Sequence, residues 1–464
     1  MVGGSSLAYI FPIITAPILT RIYNPLEFKL FAIYIAIVQI AAISFSLKYE
    51  LEIPLVKIRS NRINLFVLSI LNTIFTIFFF SILSLIFIFI YPRNQFNGIF
   101  IFIPFGIFLQ TTFNHIIYNW LLYKKNFKLI SFGKIIFISI YSFLPIIFFY
   151  FLTLKNYKYI ILSHQIGLIF AIAYISFSIY SNRLFEIIKL IFSTKLFNLK
   201  TTFFRYKKYA LYSMPSHLLN SFGLWLPTFF IWFYFDEKYI ALFFLSHRII
   251  NTPVLLIGQS IGKIFYSEAS TKIKKNKLNI SVINYYKILI HIALPFLFIC
   301  IFLIDEIFLI LFNSDWSDII NIIKLFSPWL FIVFIASPLS TIPTILYQQE
   351  NEFNFQLKLM IVRIISLCGG VYFDDIFLMF SFYSLGNFIV WFFYLLKIFT
   401  MVGINKKIIV KNTFQSFLEH FFIIVFILLI NFINIDGIYI LMLTLFIIIF
   451  VLYSFYGRLK NIKF

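Results

Sequence analysis

The chain has 464 residues, of which 62% are hydrophobic, 22% aromatic and 12% charged, and its mean hydropathy is +0.97. Soluble domains run at about 45–50% apolar and about 25% charged, so a soluble enzyme, a disordered chain and a nucleic-acid-binding domain are excluded. The net charge of +21 then reads as basic cytoplasmic loops between membrane spans, and no nucleic-acid partner is expected.

A spanning helix needs about 20 mostly apolar residues. Fourteen such runs are predicted, at 4–20, 29–47, 64–90, 98–123, 131–153, 159–180, 209–235, 239–262, 284–312, 321–347, 355–373, 376–401, 415–433 and 437–456. The first has no basic stretch ahead of it and runs through Arg21 into a second span, so it does not read as a secretory signal. Alternate loops differ sharply in charge. The loops 48–63, 124–130, 181–208, 263–283, 348–354 and 402–414, with the tail 457–464, hold 25 Lys and Arg; the loops on the other side hold 5. This contrast predicts that both termini lie in the cytoplasm.

The outward loops are short and leave no room for an outer domain. The longest inward loop, 181–208, separates an N-terminal six-helix lobe (1–180) from a C-terminal one (209–401); a further helix pair and tail fill 402–464. Within the linker, Arg183 to Phe192 mixes apolar and charged residues and is read as an interfacial helix on anionic headgroups. Connecting the two lobes is the competing reading and explains the segment in full.

The lobes repeat weakly. Pro17 precedes Glu27 by ten residues, as Pro227 precedes Glu237; Pro104 precedes Tyr123 by nineteen, as Pro328 precedes Tyr347. Six spans per half make this a parallel repeat about an axis along the membrane normal, the pattern of a transporter with a cavity between its halves. Eleven of the fourteen prolines fall inside predicted spans, two each in spans one and seven, where bends can serve alternating access.

No hydrolytic, redox or metal motif is present, no cofactor is expected, and without a P-loop there is no intrinsic ATPase. The six histidines are scattered, and Cys300 and Cys368 lie in apolar runs with no disulfide framework. Buried charge is more telling. Among the basic residues within spans, only Arg248 and Arg363 lie deep, each about nine residues, or roughly 13 Å, from a span end. No carboxylate is expected at matching depth: Asp305 and Glu306 lie towards the outer end of span nine and Glu419 near the inner end of span thirteen. A cationic cavity without carboxylates attracts an anion, and a guanidinium suits phosphate oxygens. For Arg363, pairing with backbone carbonyls is the competing reading; Arg248 sits beside His247, with Asn251 and Gln259 in the same helix.

These residues resemble a known family. Pro17-Ile-Leu-Thr-Arg-Ile-Tyr-Asn-Pro-Leu-Glu-Phe28 resembles the first helix and loop of the O-antigen flippases, lipid-linked oligosaccharide exporters of the multidrug/oligosaccharidyl-lipid/polysaccharide superfamily. Ser46 to Leu55 is similar to the end of their second helix, and Tyr212 to Ser216, Leu226-Pro227, His247-Arg248, Pro253 and Gly258 to their helices seven and eight. Asp315-Trp316, Ser327 to Leu330 and Ala336 to Leu339 resemble their tenth-helix region. Two departures stand out: Lys29 follows Phe28 where the family usually has glycine, and the short basic N-terminus is missing, which implies a start later than the family's.

The resemblance implies two six-helix lobes in a V around a central cavity. It implies an undecaprenyl-diphosphate-linked oligosaccharide as substrate, membrane lipids as neighbours and polysaccharide polymerase machinery as a partner. It also implies that helices one, two, seven and eight line the cavity, which raises Arg21, Lys48, His217, Asn220 and Arg248 as substrate-binding residues, with Arg363 added by its depth. Lys48 at the inner mouth has a competing role as an ordinary cytoplasmic-side cation. The alternatives are an ion-coupled organic-cation antiporter of the same superfamily, which needs deep carboxylates, and a membrane-embedded polymerase, which needs a large outer loop.

Overall fold

The structure, a computed structural model, describes residues 8–54, 56, 58–91, 97–153, 155–180, 196–207, 211, 213–258, 261–262, 265, 278–346, 348–432, 442–444 and 446–447. The described chain is all helical. It divides into two compact units, Met1–Trp232 and Phe233–Phe464.

The first unit contains α1 (Ile10–Ile22), α2 (Pro25–Ser46), α3 (Arg59–Ile90), α4 (the broken span Asn97–Tyr123), α5 (Phe127–Leu152), α6 (Tyr157–Tyr180), α7 (Leu196–Arg205) and most of α8 (Met214–Tyr234). The second holds α9 (Lys238–Pro253), α10 (Leu278–Phe302), α11 (Ile304–Leu311), α12 (Ile319–Leu339), α13 (Gln349–Tyr372), α14 (Ile376–Met401), α15 (Lys406–Glu419) and α16 (Phe421–Phe432).

Nine helices among the described residues are long and apolar enough to cross a membrane, or ten if the pair α15–α16, bent by 50°, counts as one span. Helices α1, α8 and α9 coincide with three further predicted runs, so each of the first thirteen runs contains a described helix. The fourteenth run, 437–456, lies largely outside the described residues, and the linker segment 183–192 lies wholly outside them. The chain is a multi-span helical membrane protein.

The helix starts follow from local chemistry. At α2 the Asn24 side chain accepts from the Glu27 N–H at 2.9 Å, while the Glu27 carboxylate accepts from the Asn24 N–H at 3.0 Å, and Pro25 fills the first turn. Asp375 caps α14 by accepting from the Phe377 and Leu378 N–H groups. Glu237, the repeat counterpart of Glu27 by spacing, stands instead at the N-cap of α9 and makes no side-chain cap bond; the neighbouring Asp236 accepts from the Lys238 N–H.

Helices α2, α4 and α6 form the interior of the first unit, whereas α3 and α5 are largely exposed. Their outer faces carry Phe75, Phe78, Phe89 and Phe151, as expected of sides turned to lipid. Hydroxyls on α3 satisfy themselves within the helix: Ser69 and Thr73 donate to the carbonyls of Leu65 and Ser69. A polar knot joins the interior helices. Gln165 on α6 donates to the Tyr34 hydroxyl on α2 at 3.2 Å and to the Phe102 carbonyl on α4 at 2.8 Å. Such bonds supply specificity where lipid gives apolar helices no reason to associate.

The structure departs from the predicted spans in two ways. The basic segment expected as the loop 402–414 is helical from Lys406, its start capped by Asn405. Two spans also contain π-helical segments, Thr112–Ile117 in α4 and Val254–Gly258 directly after α9. A wider turn leaves the apolar composition of a span unchanged, so hydropathy does not register it.

Candidate functional site

Helix α2 ends at Ser46, and Leu47 and Lys48 follow with φ of 51° and 57°. Two successive non-glycine residues in the left-handed region are strained. Their effect is a sharp reversal into a 3₁₀ turn, Tyr49–Glu52, which carries Lys48 and Glu50 into the protein, 3% and 0% exposed. The turn is braced from three sides. The Tyr49 hydroxyl donates to the Phe203 carbonyl on α7 at 3.3 Å. Arg62 donates to the carbonyls of Ile53 (3.2 Å) and Val56, and its guanidinium lies 3.7 Å from the centre of the Tyr123 ring. Asn64 donates to the Thr202 hydroxyl on α7 at 3.2 Å.

Opposite this turn, the π-helical segment of α4 presents His115. The Lys48 ammonium donates to His115 Nδ1 at 3.3 Å, and Glu50 Oε1 lies 3.8 Å from both Lys48 Nζ and His115 Nδ1. Burial lowers the pKa of Lys48, and the Glu50 carboxylate opposes that shift. His217, exposed on the first turn of α8, is near enough to feel the Lys48 charge. The first unit thus gathers an ammonium, a carboxylate and two imidazoles.

Two of the six expected binding residues, Lys48 and His217, lie in this part of the first unit. Asn220 lies one turn further along α8, half-buried. Arg21 is exposed on the last turn of α1. The remaining two lie in the second unit. Arg248 is half-buried on α9, its carbonyl accepting from the Thr252 hydroxyl at 2.7 Å. Arg363 is fully inside, its Nε donating to Asn387 Oδ1 on α14 at 2.8 Å. A side-chain amide therefore holds it, where backbone carbonyls were the competing expectation. Gln259, expected to flank Arg248, lies outside the described residues.

Glu50 and His115 were not among the expected binding residues. Glu50 bears on the expectation that no carboxylate lies deep: it is fully buried and 3.8 Å from His115, which stands eight residues from the C-terminal end of α4. That expectation used depth along helices, whereas the reversal at Leu47–Lys48 turns a loop carboxylate back into the protein. His115 did carry a signal: Thr111, Thr112, Asn114 and Asn119 surround it in an otherwise apolar span. Other histidines settle polar contacts between helices. His164 meets the Tyr34 hydroxyl at 3.5 Å, and His291 lies 3.8 Å from Glu419. Among the described residues no three His, Cys, Asp or Glu side chains are arranged to hold a metal ion.

No protein-family profile and no curated protein matches the chain. Solved structures do. The lipid II flippase MurJ in an inward closed conformation aligns over 99% of this chain and 98% of its own, with a TM-score of 0.66 and 17% identity. An inward-facing multidrug resistance MATE family transporter aligns over 86% of this chain and 94% of its own, with a TM-score of 0.64 and 14% identity. A superfamily transporter from Pyrococcus furiosus, whose binding pocket is described as having reverse polarity that suggests a different function, aligns over 86% and 95%, with a TM-score of 0.58 and 12% identity. At these identities the likeness is one of fold: the chain has the fold of transporters of the multidrug/oligosaccharidyl-lipid/polysaccharide superfamily.

Proposed function

We propose that this chain is a flippase. It carries an undecaprenyl-diphosphate-linked oligosaccharide from the cytoplasmic to the outer leaflet of a bacterial inner membrane by alternating access, for surface-polysaccharide assembly beside a polymerase. Both termini lie in the cytoplasm. The observation that carries the reading is the buried Lys48, held at the inner mouth of the first unit with His115 and within range of His217. A diphosphate brought out of water needs cationic donors in a site of low dielectric, and an ammonium built into a braced turn is such a donor. The likeness to a lipid II flippase over 99% of the chain supports the class.

In this reading the diphosphate is met by Lys48 and His217 on the cytoplasmic side and is released near Arg21 at the outer end of α1; Arg248 is a cationic donor of the second unit. The lipid tail stays in the bilayer. Without an ATPase, the drive is an ion gradient, the membrane potential or consumption of the product; the potential supplies about 2.3 kcal/mol per charge per 100 mV.

The test is flipping in proteoliposomes. A fluorescent undecaprenyl-diphosphate oligosaccharide is reconstituted with the protein and its exposure to an external quencher is followed. Flipping by wild type, weakened in Lys48→Met and Arg248→Ala, supports class and site together. No flipping of the host's own glycan lipid, with proton-coupled efflux of an organic cation instead, overturns it. Glu50 is the observation that favours this second reading, because an organic-cation antiporter requires a buried carboxylate.

A further inference from the structure

The core of the second unit holds a cation without a counter-charge. Arg363 on α13 is 2% exposed, and no carboxylate among the described residues lies within ion-pair distance of it. Its one protein acceptor there is Asn387 Oδ1, and Asn387 is fixed in turn by donating to the Tyr383 carbonyl at 2.6 Å. A guanidinium has five N–H donors and no acceptor, so most of its donors are left over.

A second donor lies against the same residue. Trp329 on α12 is 2% exposed, and its indole N–H has no acceptor among the described protein atoms. Its ring stands edge-on to Tyr383 with centroids 5.4 Å apart, and the Arg363 guanidinium carbon lies 5.9 Å from the centre of that Tyr383 ring. Phe326 stands edge-on to Trp329 at 5.6 Å, and His247 lies 6.1 Å from Trp329. The group is rich in donors, carries one positive charge and is walled by rings.

A buried charge without a partner costs several kcal/mol. A water molecule would accept the indole N–H but leave the charge uncompensated. A halide accepts from every side, needs no fixed arrangement of donors and cancels the charge.

We propose that Arg363 and Trp329 bind a single halide ion, chloride in the cell, as a resident anion that ties α12, α13 and α14 together. This site lies within the second unit and does not depend on what the protein transports.

The test uses the full chain purified in detergent, with sodium chloride titrated against sodium gluconate at constant ionic strength and pH. The readout is the midpoint of thermal unfolding. The expected result is a saturable rise with chloride, reproduced by bromide. Trp329→Phe keeps the ring and removes the donor, and should raise the half-saturating chloride concentration about tenfold, the loss of one hydrogen bond to a charged group. Arg363→Gln should abolish the response; if that variant does not fold, Trp329→Phe decides alone. A wild-type midpoint equal in chloride and gluconate overturns the proposal and leaves the donors to water. A chloride response that Trp329→Phe leaves unchanged also overturns it, because the anion then acts elsewhere.

Discussion

Replacing Asn387 by Leu tests how the second unit tolerates its buried cation. The change removes the carbonyl oxygen that accepts from Arg363 Nε at 2.8 Å and replaces it with a side chain of similar size. Hydrogen bonds between membrane helices are worth about 0.6–1.7 kcal/mol, and an ionised donor roughly doubles that figure. The stranded guanidinium sets an upper bound near 3 kcal/mol, the cost of a charge at the helix centre. We expect a loss of about 2–3 kcal/mol. At about 2–4 °C per kcal/mol for a unit of this size, the unfolding midpoint falls by roughly 4–12 °C. The assay is thermal unfolding in detergent with gluconate as the sole anion, so that only the pair is read. The Arg363→Leu/Asn387→Leu double variant should recover much of the loss, because an apolar pair needs no partner. Additivity of the two single changes within about 0.5 kcal/mol would refute the pairing.

Burial holds the Lys48 pKa below the ordinary 10.5. Between the lowered value and 10.5 the unfolded chain binds the extra proton, so stability rises with pH across that window. Lys48→Met should flatten this alkaline rise in the unfolding midpoint, and an unchanged slope counts against burial of the ammonium. A Cβ added at Gly106 would stand 2.9 Å from Tyr34 Cζ, so Gly106→Ala should destabilise by about 1–3 kcal/mol, read as a lower midpoint; an unchanged midpoint means that α2 and α4 pack less closely there. Asp305 accepts from Lys324 at 2.7 Å, but both side chains are more than a third exposed. Asp305→Asn should therefore cost under about 1 kcal/mol, and a larger loss in the same assay would mean that the pair is shielded from water.

Much of the fold was legible because lipid imposes a simple rule on sequence. Every backbone polar group in a span must be satisfied within the span, so long apolar runs read directly as helices. The start of α2 was read four residues late, at 29, although Asn24, Pro25 and Glu27 form a helix start there. What was hidden depends on contacts between residues far apart in the chain. Lys48 and His115 are 67 residues apart, and nothing in either neighbourhood names the other. Arg363 was found by depth alone, but its partner Asn387 sits among apolar residues that carry no sign of the pairing. Lys29, near a span end where a lysine can reach water, is buried instead; hydropathy sets a residue's height in the membrane and says little about the direction it faces.

The π-helical segment at Thr112–Ile117 acts as a phase shifter. An α-helix turns about 100° per residue, and one extra residue in a wide turn offsets everything beyond it by that angle. Phe113 and Ile116 within the segment and Leu121 beyond it are all buried. Deleting one residue from the segment would restore a regular helix and force a choice: His115 could keep its place beside Glu50, or Leu121 could keep its place in the core. The irregular turn lets one helix hold a polar register around His115 and an apolar register at its C-terminal end.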